Sequence, residues 1–317
     1  MESSVRVFAP ATVANVGCAY DILGFALEAP GDEVCISLST EPGVRITAIS
    51  GDGGRLPRAS NQNTAAVAVQ AFLRQIPLEQ GVEIEVHKRM PLGSGLGSSA
   101  ASAAAALHGI NYLAGTPLSQ TELIPFAMEA EKAACGSAHA DNVAPALLGG
   151  FVLLRSYEPL DVVPLPPPPN LYYTVVHPEI ELRTEDSRRI LKKEILLKDA
   201  VVQWGNIAGL ITGILQKDLD LIGRSLNDIL IEPERSLLIP GFESVKLAAL
   251  NAGALGCSLS GSGPSLFAFS ASLQTSQAIG TAMGSAFADL GIKTQKFSSL
   301  INCSGPTLIK PSTHRAA

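Results

Sequence analysis

Apolar and polar residues alternate over Val82-Glu83-Ile84-Glu85-Val86-His87, the pattern of a half-buried strand. Residues 5–9 read as a short strand, and 32–39 and 44–49 alternate around Glu41-Pro42-Gly43, which predicts a hairpin. A helix is expected over 64–76, with Asn63 at its N-cap and Pro77 ending it. Residues 98–114, rich in alanine and free of proline, predict a close-packed helix, and the capping box Ser119-Gln120-Thr121-Glu122 opens another to about 134. Later strands are expected at 151–154, 172–176, 266–269 and 293–297. Later helices are expected from Thr184 to Lys193 and at 199–215, 219–230 and 274–290. Pro164 and the run Pro166-Pro167-Pro168-Pro169 stiffen a connection, so two domains are expected, 1–160 and 170–310. Residues 311–317 are expected to fray.

Length and composition narrow the class. At 317 residues the chain can fill two cores, and 46% hydrophobic against 16% charged residues describes a globular protein. A net charge of −6 gives no basic footprint for nucleic acid. No apolar run is long enough to span a bilayer, and the start lacks the basic and apolar regions of a signal peptide. The five cysteines (18, 35, 135, 257, 303) are scattered and never spaced CxxC, which suits free thiols in a cytoplasmic protein and argues against a structural zinc.

The candidate chemistry centres on Pro91-Leu92-Gly93-Ser94-Gly95-Leu96-Gly97-Ser98-Ser99-Ala100-Ala101, between the strand and the alanine-rich helix. Glycines let the backbone turn and approach a ligand closely, and the helix start offers unpaired N–H groups to an anion. Ser98 and Ser99 add hydroxyls suited to a cap, a phosphate or Mg²⁺. A Walker A loop would need a lysine that is absent, and the glycine spacing departs from GxGxxG. A plain tight turn before a close-packed helix is the bland alternative.

The eleven residues resemble the central motif of the GHMP kinases, P-x3-G-L-G-S-S-A-A. Residues 10–21, with Asn15 and Asp21, resemble the first motif of the homoserine kinases within that superfamily, although Ala19 replaces a family glycine. His139-Ala140-Asp141-Asn142, the turn from Glu232 to Gly241 and the context of Arg188 resemble the same branch. So does the glycine-rich stretch 256–265, which follows a small-residue strand. The resemblance covers about residues 5–297.

It implies an α+β fold of two domains, the first like ribosomal protein S5 and the second ferredoxin-like, with ATP between them. It also implies phosphoryl transfer from ATP to L-homoserine in threonine biosynthesis, by a cytoplasmic enzyme, commonly a homodimer, with no nucleic-acid or membrane partner. Residues 91–101 would hold the triphosphate, and Asn63 would lie near the base. Ser99 and Glu131 would bind Mg²⁺, with Ser98 as the alternative ligand. Asn15, Asp21, His139, Asp141, Asn142, Arg188 and Arg235 would surround the acceptor, with Asp21 on its ammonium group. Asn142 stands where related kinases place an aspartate proposed as base, and an amide cannot take the proton. Two rivals stay open: another small-alcohol kinase of the superfamily, and a non-catalytic sensor.

Overall fold

The computed structural model describes residues 3–136, 139–182 and 184–309; the tail expected to fray and the side chains of Cys135 and Thr184 lie outside them. The first half comprises β1 (Ser4–Ala14), β2 (Leu23–Ser39), β3 (Val44–Ser50), α1 (Thr64–Gln75), β4 (Gly81–His87), α2 (Ser98–Leu113), α3 (Gln120–Cys135), α4 (Val143–Leu148), β5 (Phe151–Tyr157) and β6 (Leu160–Leu165). The second half comprises β7 (Tyr172–Pro178), α5 (Thr184–Arg189), α6 (Leu197–Gln216), α7 (Leu219–Ser225), α8 (Glu232–Arg235), α9 (Phe242–Asn251), β8 (Gly256–Leu259), β9 (Leu266–Ser270), α10 (Leu273–Ala288), β10 (Thr294–Leu300) and β11 (Thr307–Leu308).

A seven-stranded sheet runs β11-β1-β2-β4-β3, with β5 also on β2 and β6 on β5; a four-stranded sheet runs β10-β7-β9-β8. The expected hairpin is not formed. β4 lies between β2 and β3, antiparallel to the first and parallel to the second. The four residues after β2 carry the chain past one strand position, and α1 then provides the crossover that a parallel pair needs. Gly81 makes this passage possible, because a Cβ there would stand 1.7 Å from the Glu41 carbonyl oxygen.

Other boundaries also move. β1 continues through Pro10-Ala11-Thr12-Val13-Ala14 by shifting register between Pro10 and Thr12, so the loop expected from residue 10 starts only at Asn15. β2 begins at Leu23, well before the expected start. Pro164 sits within β6, which pairs only with β5, an edge where a missing N–H is tolerated. α5 stops at Arg189, short of the lysines expected at its end. α7 stops at Ser225, because Asp228 takes the N–H groups of Leu230, Ile231 and Glu232 into a loop instead of a helix. The small-residue strand is β8 itself, within the stretch read as loop.

α2 buries most of its length, and its alanines let it lie close on β1, β2, α1 and α3. The two sheets meet through aromatic rings: Phe25 lies 5.2 Å from both Phe151 and Phe269, and the Tyr173 hydroxyl donates to Ala29 O at 2.8 Å. Residues 301–308 return to the first sheet, where Ile301 bridges Leu27 and β11 pairs β1. The two sheets are thus joined directly, with a cleft above the join. No helix among the described residues is long and apolar enough to cross a membrane.

Candidate active site

A cavity of about 730 Å³ opens along the loop between β4 and α2. Gly93, Gly95 and Gly97 all have φ between 63° and 74°. Gly97 is the N-cap of α2 and supplies no side chain, so the helix start faces the cavity uncapped. The loop is clamped from two sides. Thr12 N donates to Leu96 O (3.0 Å), the Ser260 hydroxyl to Gly95 O (2.7 Å), and the Ser265 hydroxyl to Ser94 O (2.6 Å). A Cβ on Gly95 would meet the carbonyl oxygens of Ser260 and Gly263 at 2.5 and 2.6 Å. That glycine therefore serves the contact between two glycine-rich loops, not open space for a ligand.

Below the loop lies a pair that sequence reading missed. Asp32 and Lys88 form a buried ion pair. Lys88 Nζ also donates to Ser98 O and Ser102 Oγ, both at 2.8 Å, while Asp32 accepts from the Ser98 hydroxyl (3.1 Å) and from the N–H of Arg89 (2.8 Å). Burial pushes the Lys88 pKa down against the pull of Asp32. Alternation in β4 turns 82, 84 and 86 inward, and extending it by one step turns Lys88 inward too. A lysine at an inward position was the available signal.

Glu131, on the last turns of α3, reaches the same end of the cavity. It is 8% exposed, its carboxylate is bonded to Ser99, and Oε1 is buried without a hydrogen-bond partner. Burial raises its pKa, opposed by Ser99 and Lys88. Glu129 instead pairs with Arg74 at the surface, the ordinary fate of a helix glutamate. With the Ser98 hydroxyl engaged by Asp32, the Ser99 hydroxyl and the unpaired Glu131 oxygen remain as adjacent oxygen donors for a hard cation, and the residues fit Mg²⁺; the buried Ser94 hydroxyl of the same loop is also without a hydrogen-bond partner.

The opposite end carries charge. The Asn15 carboxamide donates to Gly261 O (2.9 Å) and accepts from Asp21 N (3.0 Å), fixing a loop in which Asn15, Val16 and Asp21 all have positive φ. Ala19 takes no such conformation and is fully buried, so the methyl that replaces a family glycine is accommodated. Asp21 receives both Arg188 nitrogens (2.9 and 3.2 Å), and His139 Nδ1 lies 3.6 Å from it. Arg188 also donates to the Tyr20 hydroxyl at 2.8 Å. Arg235 is 2% exposed and donates to the carbonyls of Ser187 (3.2 Å) and Gly261 (2.9 Å). Both guanidinium groups flank the Tyr20 ring, at 5.6 and 5.1 Å.

Asp141 is buried, and burial together with nearby Asp21 pushes its carboxyl up to about 7 despite Arg188. Burial lowers the His139 pKa, which favours the neutral ring. Asn142 accepts from the Thr12 hydroxyl at 2.8 Å, beside Gly97. The sequence places Thr12 in a loop, whereas the structure places it in β1.

The cavity thus gathers Asn15, Asp21, Asn63, Leu92 to Ser99, Glu131, His139, Asp141, Asn142, Arg188 and Arg235. Of the expected site residues, Pro91, Ala100 and Ala101 do not line it; the two alanines are buried in the core behind it. Asn63 spends its side chain on Ala65 N and Pro57 O, and so holds the rim formed by Leu56, Pro57 and Gln62. Away from the cavity, cross-strand neighbours Cys35, Glu85 and His87 bring ligand-type atoms within 4.8 Å of one another, a grouping that a search for CxxC spacing does not see.

The family of GHMP kinases N terminal domains matches residues 63–150, and that of GHMP kinases C terminal domains matches 210–289. Homoserine kinase of Chlorobium phaeobacteroides (strain BS1) is 54% identical over 302 residues, 92% of this chain and 94% of that protein. The crystal structure of homoserine kinase from Cytophaga hutchinsonii superposes with a TM-score of 0.96 at 57% identity, covering 98% of each chain. L. major mevalonate kinase, in complex with R-mevalonate, matches with a TM-score of 0.71 at 16% identity over 94% of this chain and 97% of its own; that likeness shows the fold alone.

Proposed function

The chain belongs to the homoserine kinases, a branch of the GHMP kinases, and from that premise we propose that it transfers the γ-phosphoryl group of ATP to the side-chain hydroxyl of L-homoserine, giving ADP and O-phospho-L-homoserine for threonine biosynthesis. The observation that carries the reading is one cavity with two unlike ends. An uncapped helix start and glycine loop suit a triphosphate, while Asp21, Arg188 and Arg235 suit an acceptor bearing both an ammonium and a carboxylate. A neutral alcohol has no use for the second set.

Phosphoryl transfer runs through a loose transition state, so positioning and charge neutralisation carry the catalysis. The loop from Leu92 to Ser99 binds the phosphates through backbone N–H groups, and the rim at Leu56, Pro57 and Asn63 takes the base. Ser99 and Glu131 would hold Mg²⁺, which would supply neutralisation of the phosphate charge. Asp32 and Lys88 fix the first turn of α2 from beneath. Asn15, Asp21, His139 and Asp141 surround the amino acid. Asn142, oriented by Thr12, contacts the reacting hydroxyl without accepting its proton, so the proton passes to the transferred phosphoryl group or to another group.

We place the domain division at the proline run, between an ATP-binding part (1–160) and a second part (170–310) whose last residues, 301–308, return to the first sheet. Free thiols at Cys18, Cys35, Cys257 and Cys303 support a reducing, cytoplasmic setting, and the working unit is a homodimer. One coupled ADP-release assay across homoserine, mevalonate, galactose and shikimate tests the activity. Turnover with homoserine alone is expected. Preference for mevalonate or galactose would move the chain to another kinase branch, and ATP binding without turnover on any acceptor would make it a sensor.

A further inference from the structure

We propose that Cys35, Glu85 and His87 form a zinc site on the outer face of the first sheet, away from the cavity. Spacing along one segment does not reveal it, because the pairing of β2 with β4 makes it. Cys35 stands directly opposite Glu85 in that register, and His87 lies two residues further along β4, on the same face. The alternate residues of β4 and its continuation, Val86 and Lys88, point the other way and line the cavity.

A thiol sulfur, an imidazole nitrogen and a carboxylate oxygen here all lie within 4.8 Å of one another. Cys35 Sγ is 3.8 Å from His87 Nε2, which is in turn 3.8 Å from Glu85 Oε2. Zinc bonds of about 2.3 Å to sulfur and about 2.0–2.1 Å to nitrogen put those two atoms roughly 3.5 Å apart in a tetrahedron. Small side-chain movements therefore close the site. The histidine is already oriented for it. Its Nδ1 lies 2.8 Å from the hydroxyl of Ser50, its neighbour on β3. With Nδ1–H donating to that hydroxyl, Nε2 turns a lone pair toward Cys35 and Glu85, the outer hydrogen bond that histidine ligands ordinarily have.

The donor set selects the metal. One sulfur, one nitrogen and one oxygen suit borderline-soft Zn²⁺, whereas Mg²⁺ takes oxygens. The Glu85 side chain is 51% exposed, so water reaches the fourth position. The cations on this face do not compete: Arg6 Nε donates to Glu33 at 2.8 Å, and Arg89 Nε lies 3.7 Å from the same carboxylate. A reactive thiol is the other use of a cysteine, and burial opposes it by raising the Cys35 pKa against the pull of Arg6. Zinc displaces that thiol proton to solvent as the Zn–S bond forms. The bound ion ties β2 to β4 beside Lys88, the residue that fixes the first turn of α2, and so stabilises the folded chain.

The test titrates the reduced, chelator-treated full chain with Zn²⁺ in the presence of excess Mg²⁺, and then with Co²⁺ as a coloured substitute. The wild type is expected to bind one Zn²⁺ per chain by calorimetry, to melt at higher temperature as Zn²⁺ rises, and to show a near-ultraviolet thiolate-to-Co²⁺ charge-transfer band. Cys35→Ser and His87→Asn should lose all three signals, and Cys303→Ser should keep them. Ser50→Ala should weaken Zn²⁺ binding by about 10- to 100-fold, which a metal held elsewhere would not register. Absence of stoichiometric Zn²⁺ binding by the wild type, or a charge-transfer band that survives Cys35→Ser or His87→Asn, overturns the site. Where a variant does not fold, X-ray absorption of the zinc-loaded wild type decides. One sulfur at about 2.3 Å with imidazole and oxygen at about 2.0–2.2 Å is expected, and a shell of nitrogen and oxygen alone overturns the proposal.

Discussion

The two ends of the cavity are built on opposite plans. The phosphate end is backbone: one continuous loop, three glycines at positive φ and a helix start without a side-chain cap. The acceptor end is side chains from four separate segments, and they satisfy one another, with Asp21 on Arg188 and Arg235 on two carbonyls. A backbone site needs no reorganisation to receive phosphates. A site of paired charges must exchange internal partners for those of the substrate, so a ligand of the wrong charge pattern pays the full desolvation cost. The first end supplies rate and the second supplies choice.

The largest expected effect tests the first half of that contrast. Glu131 lines the phosphate end with one carboxylate oxygen unpaired, whereas Asp32 beneath the loop is fully engaged by Lys88, Ser98 and Arg89. Glu131→Gln should cut kcat by about 10³-fold or more and move the Mg²⁺ requirement to higher concentration. Normal turnover at low Mg²⁺ would return Glu131 to a structural role. Gly95→Val comes next. Its side chain would strike the carbonyls of Ser260 and Gly263, so the loops must part. A loss of stability on the order of 3–5 kcal/mol is expected in thermal unfolding, together with loss of ATP binding by calorimetry. Lost ATP binding at full stability would mean the side chain intrudes on ligand space instead.

Asp141 gives the acceptor end a cost that can be read without substrate. Its carboxyl rises from 3.8 to about 7 in the folded state. Between those values the folded chain holds a proton that the unfolded chain releases, so stability falls as pH rises from about 4 to 7, and the penalty is complete above that. Asp141→Asn removes the ionisation. The melting temperature of the variant relative to wild type should be flat below pH 4 and climb through pH 7, reaching a gain of up to about 4 kcal/mol. Homoserine binding should be lost at every pH. A difference that does not vary with pH would show that folding leaves the Asp141 carboxyl unshifted.

The same contrast explains what could be read from the chain. The cradle was legible because eleven consecutive residues make it, and because glycines before an alanine-rich helix have few other uses. Asp21, Glu131 and Arg235 were legible only through resemblance; alone, each reads as a surface charge. The order of β2, β4 and β3 was not legible, since a short turn between two alternating segments looks the same whether they pair or a third strand enters between them. Asp228 ended α7 early by a side-chain bond that periodicity does not register. Lys88 and Thr12 were visible as inward positions but were not followed to the ends of their strands.

The smallest expected effect compares the two arginines. Both flank Tyr20, yet their settings differ. Arg235 is buried and held by Ser187 O and Gly261 O, so it presents a fixed positive charge with little left to order. Arg188 is about one-third exposed and shared with Asp21. Hydrogen bonds to charged groups are worth about 1.5–3 kcal/mol, so losing either should lower kcat/KM for homoserine by roughly 10- to 150-fold, with KM for ATP little changed. Arg235→Leu should fall at the upper end and also lower the melting temperature, because Ser187 O loses its donor. Arg188→Leu should fall at the lower end, because the freed Asp21 then attracts the ammonium group more strongly and offsets part of the loss. With homoserine amide as acceptor both losses should shrink, since the carboxylate they address is gone. Arg189, 77% exposed and, among the described residues, paired with Asp186 along its own helix, is the control: Arg189→Leu should be silent. Equal losses for homoserine and its amide would mean that neither arginine reads the carboxylate. A larger loss from Arg188 than from Arg235 would mean that the exposed, shared charge does the selecting, reversing the roles assigned to the pair.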